Sequence, residues 1–514
     1  MENLPKRPAN YVPLSPVGFL PRAGAVYGDR TSVVYRRLRF TWSQTYVRCR
    51  RLAAALLSLG VRKNDVVSVL APNVPAMYEM HFAVPMAAAV LNTVNTRLDA
   101  KAVAAILRHS QAKVLFVDYD YVRLANDALQ VVADAGAPVP LVAVIDDIDR
   151  PTGVRLGVGE LEYEALVSGG DPAAELPSFA DEWDAVTLNY TSGTTSAPKG
   201  VVYSHRGAYL NTTSQLLSWG VGTEPVYLWT LPMFHCNGWT LTWGMAARGG
   251  VNVCIRENRA ADVYPAGGAP LTAALLDRVE RVGFKVTHSY GLTEATGPAL
   301  ACEWRHEWDL LPLPERSRLK ARQGASVLSL ADANVVDSNT MASVPRDGKS
   351  MGEIALRGSS IMKGYLDNPE ANDKAFKGGW FMTGDVGVVH PDGYIEVKDR
   401  SKDVIISGGE NIYSKEVEEV LLQHQAVADA AVVAMPHPHW GETPCAFLVT
   451  SNKATGVCED EVIAFCRKRM ARFMAPSKVV VVDALPRNAL GKVDKVKLRA
   501  AVRSFVLPRA TSRL

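Results

Sequence analysis

Tyr190-Thr191-Ser192-Gly193-Thr194-Thr195-Ser196-Ala197-Pro198-Lys199-Gly200 is a run of small and hydroxylated residues with two glycines and one lysine set beside a proline. It follows Ala185-Val186-Thr187-Leu188-Asn189-Tyr190, whose apolar alternation predicts a strand. Glycines let backbone N–H groups approach anionic oxygens, the hydroxyls donate further hydrogen bonds, and Lys199 adds a positive charge. The pattern therefore points to a loop that wraps a phosphate chain, and so to a nucleotide. It is not the common P-loop, because the G-x-x-x-x-G-K-[ST] order is absent and Lys199 precedes its glycine. In isolation the same letters also describe a solvated turn, so the rest of the chain has to decide.

Upstream, apolar residues recur at helical spacing in Thr45–Leu59, and Asp65–Leu70 reads as a strand. The alternation repeats: a helix over Lys101–His109, a strand over Ala112–Val117, a helix over Leu124–Ala135, a strand over Pro140–Ile145. Strand, helix, strand spacing predicts parallel sheet layers with flanking helices. The acidic stretch Glu160–Asp184 reads as a surface connection. Downstream, Met351–Gly358 and Gly393–Val397 predict a small β unit. Beyond Asp399 come a helix (Ser414–His424), a strand (Ala430–Met435), a second helix (Glu459–Met470) and a second strand (Val479–Val482). The expected architecture is α/β: a large N-terminal body over 1–398, with mixed and parallel sheets and a small β unit, and a small α+β lid over 399–514.

Composition narrows the function. The 514 residues are 48% hydrophobic and carry a formal charge of only +3, which supplies a core but no basic face for nucleic acid. Seven cysteines lie scattered without C-x-x-C spacing, which argues against a zinc site and a disulfide framework. The N-terminus lacks the apolar core of a secretory signal, and the longest apolar run, Phe82–Leu91, contains Pro85 and is too short to span a bilayer. The C-terminal Ser512-Arg513-Leu514 matches the S-K-L type of peroxisomal address with arginine for lysine. It predicts recognition by the peroxisomal import receptor, with a cytoplasmic location as the alternative.

Six motifs, in one order, carry a resemblance. After the Tyr190–Gly200 loop come Met233-Phe234-His235-Cys236-Asn237-Gly238-Trp239, Ser289-Tyr290-Gly291-Leu292-Thr293-Glu294, and Thr383-Gly384-Asp385. Asp399-Arg400-Ser401-Lys402-Asp403 follows, running into Ser407-Gly408-Gly409-Glu410-Asn411, and Pro486-Arg487-Asn488-Ala489-Leu490-Gly491-Lys492 comes last. Together they resemble the adenylate-forming superfamily of acyl-CoA synthetases, luciferases and adenylation domains, and most of all the plant-type peroxisomal acyl-activating enzymes.

The resemblance implies a reaction in two halves: a carboxylate attacks the α-phosphate of ATP, and a thiol then attacks the acyl-adenylate. It implies ATP, Mg²⁺ and coenzyme A, a small carboxylic acid as substrate, and a lid that rotates about Lys402. By the same resemblance Thr191, Ser192, Gly193, Thr194, Thr195 and Lys199 hold the β/γ-phosphates, Thr293 the α-phosphate, and Glu294 the metal. Gly268, Ala269 and Pro270 form an adenine-contacting turn, Tyr290 and Gly291 lie against the base, and Asp385 accepts the ribose hydroxyls with Arg400 nearby. His235 gates the acyl carboxylate. Trp239, Thr240, Leu241 and Trp243 border the acyl tunnel, Gly408 and Gly409 line the pantetheine channel, and Lys492 serves adenylation. Each also has a plain structural reading: a core tyrosine for Tyr290, a surface ion pair for Asp385 and Arg400, a satisfied buried histidine for His235, a solvated lysine for Lys492.

The chain departs from the family pattern at one place of consequence. Between Tyr264 and Gly267-Gly268-Ala269-Pro270 only Pro265 and Ala266 stand, where the family carries about 40 residues of helix and strand. Ser196 replaces a common glycine and Leu490 a common threonine. The expected function is an ATP-dependent carboxylate–CoA ligase for a short, medium or aromatic acid. The alternative is a catalytically impaired paralogue or splice product that binds nucleotide without making acyl-CoA.

Overall fold

The computed structural model describes residues 4–155, 161–177, 181–191, 198–256, 276, 279–451, 458–488 and 492–503. An eight-stranded sheet organises the N-terminal body. Its order is Gly364–Tyr365, Lys199–Ser204, Ala185–Thr191, Val90–Thr93, Val66–Leu70, Val114–Asp118, Leu141–Ile145, Leu161–Glu162. From Ala185–Thr191 onward the neighbours are parallel, whereas Lys199–Ser204 and Gly364–Tyr365 are antiparallel additions at one edge. Parallel strands are covered on both faces, which explains why every residue of Val114–Asp118 is buried. The helix Pro75–Met86 is buried along its whole length, so it shows no polar face to read as a period. The helix Trp42–Ser58 starts where a capping box allows it, with Thr41 and Gln44 each accepting from the other's backbone.

A four-stranded sheet packs beside it in the order Val226–Trp229, Val251–Cys254, Thr31–Tyr35, Leu38–Thr41. Its central pairing, Val33 with Asn252, joins distant parts of the chain, and no local pattern announces it. An antiparallel sheet of Leu330–Val336, Met351–Gly358, Trp380–Val389, Ile395–Arg400 and Phe376–Lys377 is the expected small β unit. The C-terminal unit holds strands Ile405–Ser407, Glu410–Ile412, Val427–His437, Gly441–Thr450 and Lys478–Val481 with helices Ser414–Leu421, Glu459–Arg467 and Lys495–Val502. It has its own core of Ile405, Val417, Leu421, Val432, Leu448 and Val462.

The surface connection expected over Glu160–Asp184 is corrected. Within it lies the helix Tyr163–Gly169, with Tyr163 and Val167 buried. Tyr163 donates to Glu79 Oε2 at 2.5 Å, and Arg48 grips Glu79 through Nε (2.6 Å) and Nη2 (3.1 Å) while also binding Glu164. Of the acidic letters that suggested solvent, Glu164 is paired with Arg48, Glu182 with Arg206 and Asp184 with Lys63.

Candidate functional site

The stretch that opens the sequence reading becomes two adjacent strands and their connection. Thr191 ends one strand, Lys199 begins the next, and the two residues are register partners. Ser192, Gly193, Thr194 and Thr195 lie outside the described residues, as do Gly268, Ala269, Pro270, Leu490, Gly491 and Ser512–Leu514. The Lys199 ammonium lies 4.6 Å from the centre of the Tyr365 ring. Tyr365 in turn donates its hydroxyl to Glu294 Oε1 at 2.9 Å. Sequence reasoning missed Tyr365, because only the pairing of Gly364 with Val202 brings it here. Burial raises the Glu294 carboxyl above its ordinary range, against the pull of Tyr365 and Lys199.

Tyr290 and Gly291 sit on the strand Ser289–Leu292, which pairs with Gly297–Ala301. At Gly291 there is no room for a side chain, since a Cβ would lie 2.2 Å from the Gly297 carbonyl oxygen. Thr293 and Glu294 form the short turn that follows.

Tyr290 donates to Asp385 Oδ2 at 2.6 Å. Asp385 and Arg400 face one another across antiparallel strands, with Nε 3.7 Å from Oδ1. The backbone before Asp385 is fixed by Thr383, whose hydroxyl donates to the Ile354 carbonyl (2.8 Å) and accepts from the Asp385 amide (3.1 Å). Burial raises the Asp385 carboxyl, while Tyr290, Arg400 and Lys492 pull it down. Lys492 reaches this cluster from the C-terminal unit. Its turn is pinned where Asn488 donates its amide to the Lys492 carbonyl (2.8 Å) and accepts the Lys492 amide on its side chain (3.1 Å). Burial lowers the Lys492 amine, Arg400 lowers it further, and Asp385 and Cys236 raise it.

His235 completes the arrangement, within the electrostatic reach of Lys492 and Arg97. Next to it Cys236 places its sulfur 3.5 Å from His235 Nδ1 and 3.4 Å from Thr293 Oγ1. Of the residues expected along an acyl tunnel, Trp239 is half-buried, whereas Thr240, Leu241 and Trp243 are buried. Trp243 donates its indole N–H to the His81 carbonyl at 3.0 Å; it packs as core against the helix Pro75–Met86. Gly408 and Gly409 form the turn of a hairpin in the C-terminal unit, with φ of 59° and 90°. Their strand bonds toward Trp440 and Glu442, and the geometry does not join them to the Asp385 cluster.

Among the described residues no group of three or more His, Cys, Asp or Glu is placed to hold a metal ion. A single half-buried carboxylate, Glu294, fits Mg²⁺ when phosphate oxygens supply other ligands.

The pattern of the family described as AMP-binding enzyme matches residues 20–266 and 262–366, and that of the AMP-binding enzyme C-terminal domain matches residues 416–492. The chain belongs to the AMP-binding enzymes. The trans-cinnamate:CoA ligase, peroxisomal, of Petunia hybrida is 53% identical over 553 positions, covering 98% of this chain and 97% of that protein. The butyrate–CoA ligase AAE11, peroxisomal, of Arabidopsis thaliana is 52% identical over 552 positions, covering 99% of this chain and 96% of the relative. Among solved structures, the o-succinylbenzoate CoA synthetase of Bacillus subtilis in complex with its acyl-adenylate intermediate aligns with a TM-score of 0.78 at 26% identity, covering 94% of this chain and 97% of that one. This AMP-binding enzyme thus has the large body and small C-terminal domain of its relatives.

Proposed function

We propose that the chain is an ATP-dependent carboxylate–CoA ligase that forms an acyl-adenylate and then a thioester. The observation that carries the reading is the cluster of Asp385, Tyr290, Arg400 and Lys492, in which the C-terminal unit delivers a cation to a carboxylate held by the body. Asp385, with two oxygens, binds the ribose hydroxyls; Arg400 and Lys492 meet developing negative charge when the carboxylate attacks the α-phosphate, and Thr293 orients that phosphate. Lys199 holds the outer phosphates. Glu294 is the carboxylate that would hold Mg²⁺, whose charge screens the phosphate oxygens. His235 lies beside the incoming acid. The relatives named for cinnamate, butyrate and benzoate support a short aliphatic or aromatic acid.

The labels of those relatives support a peroxisomal location reached through Ser512-Arg513-Leu514. The organisation proposed is a body over 1–398 and a mobile lid over 399–514, with Gly408 and Gly409 turning in toward coenzyme A after adenylation.

The test is pyrophosphate release from ATP and Mg²⁺ with acids of graded length, followed by trapping of the activated acid with hydroxylamine. Release with at least one acid supports the reading, and nucleotide binding without release with any acid refutes it. A second reading is an impaired product lacking an internal block at 264–267. The aligned spans of 553 and 552 positions exceed the 514 residues of this chain, and the family match breaks at 262–266. The same assay separates the two, because that form shifts its melting temperature with ATP and Mg²⁺ yet activates no acid.

A further inference from the structure

Cys236 occupies a position that the motif reading left without a role. Its thiol is buried between His235 Nδ1 at 3.5 Å and Thr293 Oγ1 at 3.4 Å. The backbone that carries it is left-handed over five consecutive residues, with φ of 48°, 53°, 61°, 52° and 61° from Cys236 to Thr240. For L-residues that conformation costs about 1–2 kcal/mol each, and only Gly238 escapes it.

Side chains hold the turn in place. Asn237 Oδ1 accepts from Thr187 Oγ1 (3.1 Å) and Asn189 Nδ2 (3.0 Å), Thr242 donates to the Asn237 carbonyl (3.0 Å), and Thr240 donates to Gln215 Oε1 (2.9 Å). At Gly238 a Cβ would lie 2.4 Å from the Trp229 ring. A chain that needed only a small apolar residue at 236 would have no use for so strained a mount; strain that the surroundings over-determine marks a functional position.

We propose that Cys236 is a positioning residue of the ligase reaction: its thiol ties the imidazole of His235 to the hydroxyl of Thr293, so that the group beside the acid and the group at the α-phosphate keep one fixed relation. The inference rests on the roles assigned to His235 and Thr293 under the proposed function. The electrostatics agree with the geometry. The charge of Cys236 raises His235 against burial, Lys492 and Arg97. Burial raises Cys236, but the charge and hydrogen bond of His235, with the Thr293 hydroxyl, outweigh it and lower the thiol. Glu294 acts on the cluster from beyond Tyr203. The imidazole is thereby kept protonated to a higher pH and can donate toward a carboxylate.

The test uses the full chain with Cys236→Ala and Cys236→Ser. In Cys236→Ala the kcat of pyrophosphate release falls about tenfold, the worth of one hydrogen bond, with the KM for ATP unchanged. The pH limb assigned to His235 moves to lower pH, and Cys236→Ser recovers part of the rate. A readout independent of turnover is the rate at which methyl methanethiosulfonate modifies Cys236, followed by peptide mass against pH. Its midpoint moves up in His235→Ala. A wild-type rate and pH profile in Cys236→Ala, or a thiol midpoint indifferent to His235→Ala, overturns the inference. If the wild type releases no pyrophosphate, the ligase reading falls, while the thiol midpoint still decides whether the two side chains are coupled.

Discussion

Asp385 has a tyrosine hydroxyl at 2.6 Å, an arginine at 3.7 Å and a lysine arriving from another unit, so its removal has two separable effects. Asp385→Ala leaves the Tyr290 hydroxyl buried without its acceptor, which costs about 1–3 kcal/mol of stability and is read by thermal melting. It also removes the ribose acceptor, and the affinity for ATP measured by calorimetry falls about tenfold or more. Lys492→Ala lowers pyrophosphate release by about 10²–10³, yet spares thioester formation from a supplied acyl-adenylate; equal loss of both would remove Lys492 from its assigned role. Because burial and Arg400 lower the Lys492 amine, its charge is lost at lower pH than for a solvated lysine. The rate of pyrophosphate release therefore falls on the alkaline side before the ordinary lysine range is reached. Lys492→Arg, which stays charged, removes that limb.

At the level of elements, the Arg48–Glu79–Glu164–Tyr163 network joins the helices Trp42–Ser58, Pro75–Met86 and Tyr163–Gly169. Arg48→Ala strands a fully buried carboxylate and costs about 3–5 kcal/mol, measured by denaturant unfolding. Changing both Arg48 and Glu79 to apolar residues recovers much of it. What the sequence made legible follows the same division between local and distant causes. The strand Ala185–Thr191 and the helices Ala100–His109 and Val122–Asp134 were readable because each shows its period over a short local run; the strand Lys199–Ser204 begins inside the stretch that reads as loop. The helix Tyr163–Gly169 was not readable, because its one acid, Glu164, is matched by an arginine far back in the chain. In the site, Asp385, Arg400 and Tyr290 came from motif likeness, and the structure joins them. Tyr365 depends on a two-residue strand pairing, and the left-handed path after His235 leaves no trace in residue type beyond one glycine.

Across the whole molecule, buried histidines set the response to acid. Burial lowers His81 to about 4 and His205 to about 4. Between the ordinary histidine value and about 4 the unfolded chain binds the protons that the folded chain refuses. Stability is thus retained above the ordinary value and lost as pH falls through this window. At pH 5 the loss is about 2 kcal/mol for His81, seen as a falling melting temperature between pH 7 and pH 5 that becomes shallower in His81→Asn, with His205 keeping its own share.

The strand Ile395–Arg400 is bonded to the helix Ser414–Leu421 that follows it. Asp399 Oδ2 accepts from the Ser414 amide (2.6 Å) and hydroxyl (2.7 Å), and Arg499 donates to the Lys402 carbonyl (3.1 Å). All seven cysteines are free, and six of them are buried; Cys458, at the start of the helix Glu459–Arg467, is exposed. A bulky maleimide dye would therefore find one handle, already on the smaller unit, and its fluorescence would report whether that unit moves during turnover in the unmutated enzyme.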